Sequence, residues 1–369
     1  MKDLHAKPFD EGTIAKLEIF EDYAQAWLPT FIMQGKAEIC IFDMFAGTGY
    51  DLNGIQGSPI RILEKVKEYL GIIFKNKVHI TLYLNEFEPS KKKQQKFETL
   101  KTACDSYLEA HKDVKRALTI KYFNEDFAIL FPKLLPYIKE NPSLVYLDQN
   151  GIKFLESKYL LELEKISETD FIYFVSSSYF KRFGKTDEFR SHFEVDIDEI
   201  NANPYRFIHR VVLNQLKNTL PLNSRLKLYP FTIKKDKNIY GIIFGAKHPR
   251  AVDKFLDISW KKNSVNGDAN FDIDEDTAKK QFDLFSGELP LTKIEAFKQK
   301  VEEKILSKEI SNNFELLNFV YDEGHIPKHA SECLKVLRTK NLIKYDSKSP
   351  LVNYDNVHNK KRVLEYIIL

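Results

Sequence analysis

Two glycines and a carboxylate follow a short apolar run near the start of the sequence. Residues 39–42 are Ile-Cys-Ile-Phe, and Asp43, Gly47 and Gly49 come soon after them. Glycine lets the backbone turn sharply and approach a ligand without a Cβ clash, so this pattern is typical of a strand that enters a nucleotide-binding turn. An isolated Gly-x-Gly pair also occurs in ordinary turns, so other residues are needed to distinguish a nucleotide-binding turn from an ordinary one.

Acidic residues recur at the ends of the strands predicted next along the chain. Glu86 follows the second strand, Asp126 follows the third and Asp148 follows the fourth. In an open parallel sheet the carboxyl ends of the strands meet at one edge, where ligands bind. We therefore expect these carboxylates to share one site. Asp126 has an alternative role as the N-cap of the next helix.

The loop after the first strand favours a cationic ligand over a pyrophosphate. It lacks the third glycine of a G-x-G-x-x-G motif, and Asp51 within it would repel a pyrophosphate. S-adenosylmethionine carries a sulfonium and an amino group but no phosphate, so an acidic loop suits it. The alternative for Asp51 is a solvated loop position.

Each acid is then predicted to contact one part of S-adenosylmethionine. We expect Asp43 and Asp51 to face the methionine part. Glu86 would accept hydrogen bonds from the ribose hydroxyls, and Asp126 would pair with the adenine amine. The predicted cofactor-binding residues are Asp43, Phe45, Ala46, Gly47, Gly49, Glu86 and Asp126.

A polar turn, Asp148-Gln-Asn-Gly151, follows the fourth predicted strand. Amino-methyltransferases carry a polar-Pro-Pro-aromatic turn at this place, which binds the target amine and stacks a flipped base. Here the prolines and the aromatic residue are missing. Methyl transfer depends mainly on orienting the nucleophile, so we predict Asp148 and Asn150 as catalytic residues, with Asp148 accepting a proton or hydrogen bond. The alternative is an ordinary β-turn.

Hydroxyl and basic side chains follow the fifth predicted strand and recur in the last part of the chain. They suit contacts with a substrate or with the phosphates of DNA or RNA. Helix capping and solvated cations are the alternative, and no Gly-x-Ser-x-Gly elbow indicates a nucleophilic serine. The predicted contacts are Ser177, Tyr179, Lys181, Arg182, Lys328, His329, Lys335 and Arg338.

Alternating strands and helices must position these residues. Apolar runs predict strands at 39–42, 78–84, 118–123, 144–147 and 171–175, and a hairpin at 225–233 and 240–246. The order predicts an α/β fold with a Rossmann-like methyltransferase sheet, mostly parallel, with helices on both faces. A helix over residues 16–27 precedes it and is predicted to end at Pro29.

The last part of the chain predicts a separate module. Residues 263–276 are polar and acidic, which indicates a linker or surface loop. Predicted helices at 294–306, 314–321 and 328–340, with a short β-like tail, are typical of a winged helix-turn-helix. The predicted domains are 1–262 for the methyltransferase-like part with its N-terminal helix, 263–290 for the linker and 291–369 for the winged helix.

Composition argues against several other classes of protein. The chain has 56 basic and 53 acidic side chains, so its global charge does not indicate nucleic-acid binding. Cys40, Cys104 and Cys333 are too far apart for a disulfide framework or metal cluster, and we predict no metal site. For His325 and His329 we favour capping or DNA-facing roles. Without a signal peptide or an apolar run of roughly 18 residues, a cytoplasmic protein without a membrane span is expected.

Several blocks of the sequence occur in the same order as in a known family. They are Asp43 to Gly49, Gly57-Ser58-Pro59, Leu147-Asp148-x-x-Gly151, Phe174 to Phe183 and Gly324 to Ala330. In these blocks the chain resembles the three-Cys-motif partner family, with Gln-Asn where the family tends to have Pro-aromatic. The resemblance implies an S-adenosylmethionine-dependent methyltransferase with a winged helix. It also implies a radical-S-adenosylmethionine partner that carries the three cysteines, and a role in nucleic-acid modification or anti-phage defence.

Three functional interpretations remain open at this point. The first is a methyltransferase that acts on nucleic acid or on a substrate linked to it. The second is a binding subunit whose degenerate Rossmann fold docks a partner enzyme. The third, a nicotinamide-dependent oxidoreductase, is disfavoured by the missing third glycine and by the acidic loop.

Overall fold

The computed structural model describes residues 8–89, 95–148, 156–176, 199, 202–203, 205–235, 238–279 and 290–369. Contacts divide the chain into two compact units, Met1–His248 and Pro249–Leu369. A seven-stranded sheet lies in the first unit, and a two-stranded sheet lies in the second. None of the helices in the described ranges combines the length and apolar character that crossing a membrane requires.

The first unit alternates helices with strands, as the sequence predicts. Every predicted strand is present, and the observed ends lie close to the predicted ones. The elements are α1 Glu11–Met33, β1 Glu38–Asp43, α2 Ser58–Glu68, α3 Leu70–Asn76, β2 His79–Asn85, α4 Gln95–Ala110, α5 Lys112–Ala117, β3 Leu118–Phe123, α6 Phe127–Glu140, β4 Ser143–Leu147, α7 Ser157–Glu164, β5 Thr169–Ser176, α8 Ile208–Asn218, β6 Lys227–Lys235 and β7 Asn238–Ala246.

The strand order explains where a ligand can bind. It is β3-β2-β1-β4-β5-β7-β6, and β7 runs antiparallel to both of its neighbours while the other strand pairs are parallel. The winding reverses between β1 and β4, and such a reversal opens a crevice at the carboxyl ends of the strands. The antiparallel strand β7, between β5 and β6, distinguishes this sheet from the all-parallel dinucleotide-binding sheet. The predicted Rossmann-like methyltransferase sheet is therefore confirmed.

Helix α1 continues through Pro29, so the prediction that Pro29 ends it is wrong. A proline inside a helix leaves the carbonyl four residues earlier without its amide donor. Here Tyr69 Oη donates a hydrogen bond to the Gln25 carbonyl oxygen at 2.8 Å, which replaces the missing one. Leu28 and Ile32 on either side of the proline are fully buried, so apolar packing holds the last turns in place.

Helix α1 packs across one face of the sheet. The ring of Phe20 stacks on that of Tyr146 in β4, with centroids 4.0 Å apart. Tyr23 Oη donates a hydrogen bond to Asp170 Oδ2 in β5 at 2.6 Å. These contacts anchor the middle of the helix and bring its first turns to the carboxyl edge of β4 and β5.

The second unit confirms the predicted winged helix-turn-helix. After α9 and α10 come three further helices and a small antiparallel strand pair, in which Ile343 faces Ile368. A capping box between Thr292 and Glu295 starts the first of the three. The elements of this unit are α9 Pro249–Lys262, α10 Asp276–Lys279, α11 Lys293–Leu306, α12 Asn313–Asp322, α13 Pro327–Thr339, β8 Ile343–Lys344 and β9 Ile367–Ile368.

Helix α9 belongs to the second unit, although the sequence places it in the first. Trp260 Nε1 donates a hydrogen bond to the Gly324 carbonyl oxygen at 3.0 Å. Tyr321 Oη donates to Asp253 Oδ1 at 2.9 Å. The predicted boundary after residue 262 therefore falls one helix later than the division between the compact units.

The segment after α9 is a loop, as predicted, but it is packed. Asn266 and Ala269 are fully buried. The Lys293 ammonium donates a hydrogen bond to the Asn266 carbonyl oxygen at 2.7 Å. The described part of the predicted linker is thus built into the second unit.

Candidate cofactor and acceptor site

Asp43 ends β1 in the interior of the first unit, with 1% of its surface exposed. Its Oδ2 accepts a hydrogen bond from Ser58 Oγ at 2.6 Å, and its Oδ1 accepts one from the Phe45 backbone N–H at 3.2 Å. Ser58 is the first residue of α2, whose N-cap is Gly57. The serine hydroxyl is therefore free to join the start of the helix to the end of the strand.

The predicted acids at the ends of β1, β2 and β4 influence one another. Burial raises the pKa of Asp43 to about 7, hydrogen bonds from Ser58 and Phe45 oppose the rise, and the charges of Asp148 and Glu86 add to it. The three carboxylates therefore lie near enough for their charges to interact, and their binding of one ligand stays a prediction. A cation among them would stabilise the ionised form of Asp43.

The glycine-rich turn requires glycine at two positions. Gly47 and Gly49 have φ angles of +68° and +86°, in the left-handed region. The Gly47 N–H donates a hydrogen bond to Glu86 Oε2 at 2.9 Å, and the Gly49 carbonyl accepts one from the Gly57 N–H at 2.8 Å. A Cβ atom on Gly49 would lie 2.8 Å from the Cβ of Ala103 in α4. The turn is therefore held tightly between β1, β2 and α4.

Asp51 closes the loop after this turn and is not directed at a ligand. Its Oδ1 accepts hydrogen bonds from the N–H groups of Asn53 and Ile55, at 2.8 and 2.7 Å, and its Oδ2 accepts one from Phe9 at 2.7 Å. Desolvation raises the pKa of Asp51, but these three donors lower it by more, so the pKa falls below its ordinary value. The expectation that Asp51 faces the methionine part is corrected, because both oxygens are used by the backbone.

Asn85, which the sequence did not single out, fastens three strand ends together. It is 1% exposed, and its side-chain amide donates hydrogen bonds to the carbonyls of Met44 and Glu125, each at 3.1 Å. Its backbone carbonyl accepts a hydrogen bond from the Ala46 N–H at 2.9 Å. A polar residue beside Glu86 was visible in the sequence, but its partners come from loops after other strands.

Asp126 and Phe45 both contact the start of α6. Asp126 Oδ1 accepts a hydrogen bond from the Ala128 N–H at 2.9 Å, which is the N-cap role that the sequence left as its alternative. The Phe45 ring stacks on that of Phe127, with centroids 5.8 Å apart. Contact of either residue with a cofactor remains a prediction.

Asp148 is paired with a lysine that sequence reasoning missed. Lys16 of α1 forms an ion pair with the Asp148 carboxylate, and its ammonium lies 4.4 Å from the centroid of the Phe174 ring. Beside them, burial and the charge of Asp148 raise the pKa of Tyr146 well above its usual value. Helical spacing places Lys16 on α1, but it does not tell which strand end the helix meets. The remaining residues predicted around this place lie outside the described residues: Asn150, Ser177, Tyr179, Lys181 and Arg182.

His329 in the second unit faces the interior. It is 6% exposed, and its Nδ1 lies 3.0 Å from the Nδ1 of His325. The Trp260 ring contacts both imidazoles, with centroids 5.0 Å from His325 and 4.4 Å from His329. The predicted contact of His329 with nucleic acid is corrected, because the ring is used in the core. Within the described ranges, no group of three or more His, Cys, Asp or Glu side chains is arranged to hold a metal ion.

Lys328, Lys335 and Arg338 are exposed on α13. Arg338 donates a hydrogen bond to the Ser347 carbonyl oxygen at 2.8 Å, and its guanidinium lies 4.5 Å from the Tyr345 ring centroid. It therefore ties the helix to the segment after β8. The two lysines, seven positions apart, share one face of the helix.

Comparison with known proteins gives a family match in the second unit. A family model of the GMT-like wHTH domain matches residues 270–350. Among solved structures, the chain is similar to the O-methyltransferase TomG from Streptomyces achromogenes, involved in tomaymycin synthesis and crystallised with S-adenosylmethionine. The identity is 10% and the TM-score 0.33, and the match covers 65% of this chain and 91% of that one.

No match to the chain is found among curated proteins. The matched family covers the second unit alone, and the structural similarity concerns the general fold. Neither assigns a ligand or reaction to this chain. Membership of the three-Cys-motif partner family stays a prediction.

Proposed function

We propose that the first unit binds S-adenosylmethionine and transfers its methyl group. The observation that carries this proposal is the buried carboxylate of Asp43 beside the turn of Gly47 and Gly49, where Glu86 and Asp148 help to raise its pKa to about 7. Three carboxylates near one another favour a cationic ligand, and the sulfonium and ammonium groups of S-adenosylmethionine supply two positive charges. A pyrophosphate would be repelled at the same place.

Residues at different strand ends then have different roles in the proposed reaction. Glu86, next to the glycine-rich turn, binds the ribose, and Asp43 faces the cationic end of the cofactor. Asp148 orients the acceptor, which is where most of the rate of such a displacement arises. The acceptor's lone pair forms a bond to the methyl carbon as the carbon–sulfur bond breaks. Sulfur keeps that electron pair as a neutral thioether, and a proton carried by the acceptor passes to Asp148 or to water.

The affinity for S-adenosylmethionine should rise with pH as Asp43 ionises. Because the pKa of Asp43 in the free protein is about 7, most of the carboxyl is protonated at about pH 6 and ionised at about pH 8. We expect calorimetry to show binding about tenfold weaker at the lower pH. Asp43→Asn should bind weakly at both values and lose the pH dependence.

Asp113→Asn, which removes an exposed carboxylate from α5, is the matched control and should keep the wild-type profile. Absence of binding heat for S-adenosylmethionine and S-adenosylhomocysteine at both pH values would sink the proposed function. Stronger binding of NAD would favour the oxidoreductase interpretation.

We further infer that the winged helix directs the enzyme to nucleic acid. Residues 327–369 contain nine basic and four acidic side chains, whereas the whole chain is nearly balanced. Lys328 and Lys335 project from one face of α13. Exposed cations of this kind contact phosphates, which position a protein on nucleic acid without reading its sequence.

Removing Lys328 and Lys335 should weaken nucleic-acid binding to a similar extent for all sequences. We expect Lys328→Gln/Lys335→Gln to lower the slope of log affinity against log salt by roughly one for each phosphate that the variant no longer neutralises. Fluorescence anisotropy with duplex DNA, duplex RNA and single strands measures it and also separates the nucleic-acid classes. Lys308→Gln, which removes an exposed lysine after α11, is the control. An equal loss of affinity in both variants would contradict the assignment of this surface.

The resemblance of the sequence blocks alone supports three further parts of the proposal. The partner is a radical-S-adenosylmethionine protein with a three-cysteine motif, the biological role is anti-phage defence, and the location is the cytoplasm. Co-purification of the neighbouring gene product with the full chain tests the partner. Recovery of the chain without it, in a host that expresses both, would count against it.

A further inference from the structure

The first described residues of the chain run along the carboxyl edge of the sheet. The Phe9 N–H donates a hydrogen bond to Asp51 Oδ2 in the glycine-rich loop at 2.7 Å. Asp10 forms an ion pair with Lys235, the last residue of β6. Strands β5 and β6 are both antiparallel to β7, so the end of β6 lies at the same edge as the ends of β4 and β5. We call residues 9–16 the N-terminal strap.

Lys16 ends the strap at the acceptor side of the site. Its ammonium pairs with Asp148 and lies over the ring of Phe174. The residue is only 7% exposed. A buried ammonium loses its hydration and is unfavourable unless an anion and good geometry compensate for it. Asp148 compensates for this loss, but such a buried pair gains little over apolar side chains, so its placement at a strand end requires an explanation.

Docking of α1 does not explain it. The stacked rings of Phe20 and Tyr146 and the hydrogen bond from Tyr23 to Asp170 already hold the helix on the sheet. A buried ion pair adds little stability compared with apolar residues of similar size. Local features that break the rules of packing without a gain in stability are typical of functional sites.

We propose that the N-terminal strap is a wall of the methyl-acceptor site and that Lys16 is a positioning residue, which orients Asp148 and offsets its charge. The proposal rests on the function proposed above. Asp148 stands at the switch between β1 and β4, beside the acids that are to receive the cofactor. Without Lys16, its carboxylate would be uncompensated and would attract the sulfonium of the cofactor more strongly.

The ratio of the affinities for S-adenosylmethionine and S-adenosylhomocysteine tests whether Lys16 offsets the charge of Asp148. S-adenosylmethionine carries a sulfonium, whereas S-adenosylhomocysteine has a neutral thioether in its place. Lys16→Met should raise the affinity for the first relative to the second by roughly three- to tenfold, because a unit charge is removed near the sulfur. Lys16→Arg keeps the charge and should restore the wild-type ratio. A loosened strap alone would change both affinities together.

Lys235→Met is the matched control, because it removes a strap ion pair away from the acceptor end and should leave the ratio unchanged. Calorimetry with both ligands at one pH measures the ratio, and the thermal midpoint of each variant shows that it folds. An unchanged ratio in Lys16→Met, with the wild type binding both ligands, would overturn the positioning role alone. If the wild type binds neither ligand, the proposed function fails and this role fails with it.

Discussion

Replacing Gly49 with alanine will weaken cofactor binding by at least about tenfold and destabilise the first unit by roughly 2–4 kcal/mol. Two effects add. A left-handed backbone, with φ of +86° at this position, disfavours any residue that carries a Cβ. The new Cβ would also lie 2.8 Å from that of Ala103, in a turn whose carbonyl accepts the hydrogen bond from Gly57. The turn must move, and with it the sheet edge proposed to bind S-adenosylmethionine.

Gly54→Ala is the matched control for Gly49→Ala. Gly54 lies in the same loop with φ of +76°, but none of the described residues places an atom within 4 Å of its expected Cβ. It should therefore show the backbone effect of about 1–2 kcal/mol without the clash. Urea unfolding gives both free energies of unfolding. Ala103→Gly in the Gly49→Ala background should recover part of the stability, because it removes the Cβ atom with which the new methyl group clashes. Equal destabilisation by Gly49→Ala and Gly54→Ala would show that the contact with α4 is unimportant.

The strands of the sheet could be predicted from the sequence because each is marked by its own short run of apolar residues. Strands of parallel sheets are buried on both faces and are therefore nearly continuous apolar runs, as residues 39–42 and 144–147 show. Once alternating helices fix the parallel order, the strand ends must meet, so Asp43, Glu86 and Asp148 could be placed at one edge of the sheet before any contact was known.

The rest of the site depends on contacts between distant residues. Lys16 is one cation among many in the sequence, and only the packing of α1 across β4 and β5 brings it to Asp148. Ser58 has the residue type of a helix cap, yet its hydroxyl serves Asp43. His329 illustrates the opposite error, because a histidine between cations suggested a surface and the structure uses it in the core.

Acidification from about pH 6.5 to about pH 5 will destabilise the second unit through His325 and His329. Their Nδ1 atoms are 3.0 Å apart, so one ring donates a hydrogen bond to the other, whose Nδ1 is unprotonated. Burial, followed by nearby lysine charges, lowers the pKa of His325 to about 2. Burial also lowers that of His329 to about 4, although Glu332 opposes the shift.

The sign of the effect follows from proton binding. The unfolded chain takes up these protons below about pH 6.5 while the folded unit does not, so stability present above that pH is lost as the pH falls toward the folded pKa. For His329 alone the full loss is on the order of 3 kcal/mol. Most carboxyls titrate below about pH 5. Burial raises the pKa of Asp43 in the first unit and of Asp253 in the second, so a variant without the two histidines must separate their contribution.

Fluorescence of Trp260, which contacts both imidazoles, should report the destabilisation in urea titrations of a Trp27→Phe background. His325→Gln/His329→Gln should flatten the dependence of stability on pH between about 6.5 and 5, because neither side chain then titrates. His111→Gln in the first unit should leave it unchanged. A slope that survives in the double variant would assign the acid sensitivity to other groups. The buried pair would then be important only for packing against Trp260 and against Phe297, whose ring stacks on that of His325.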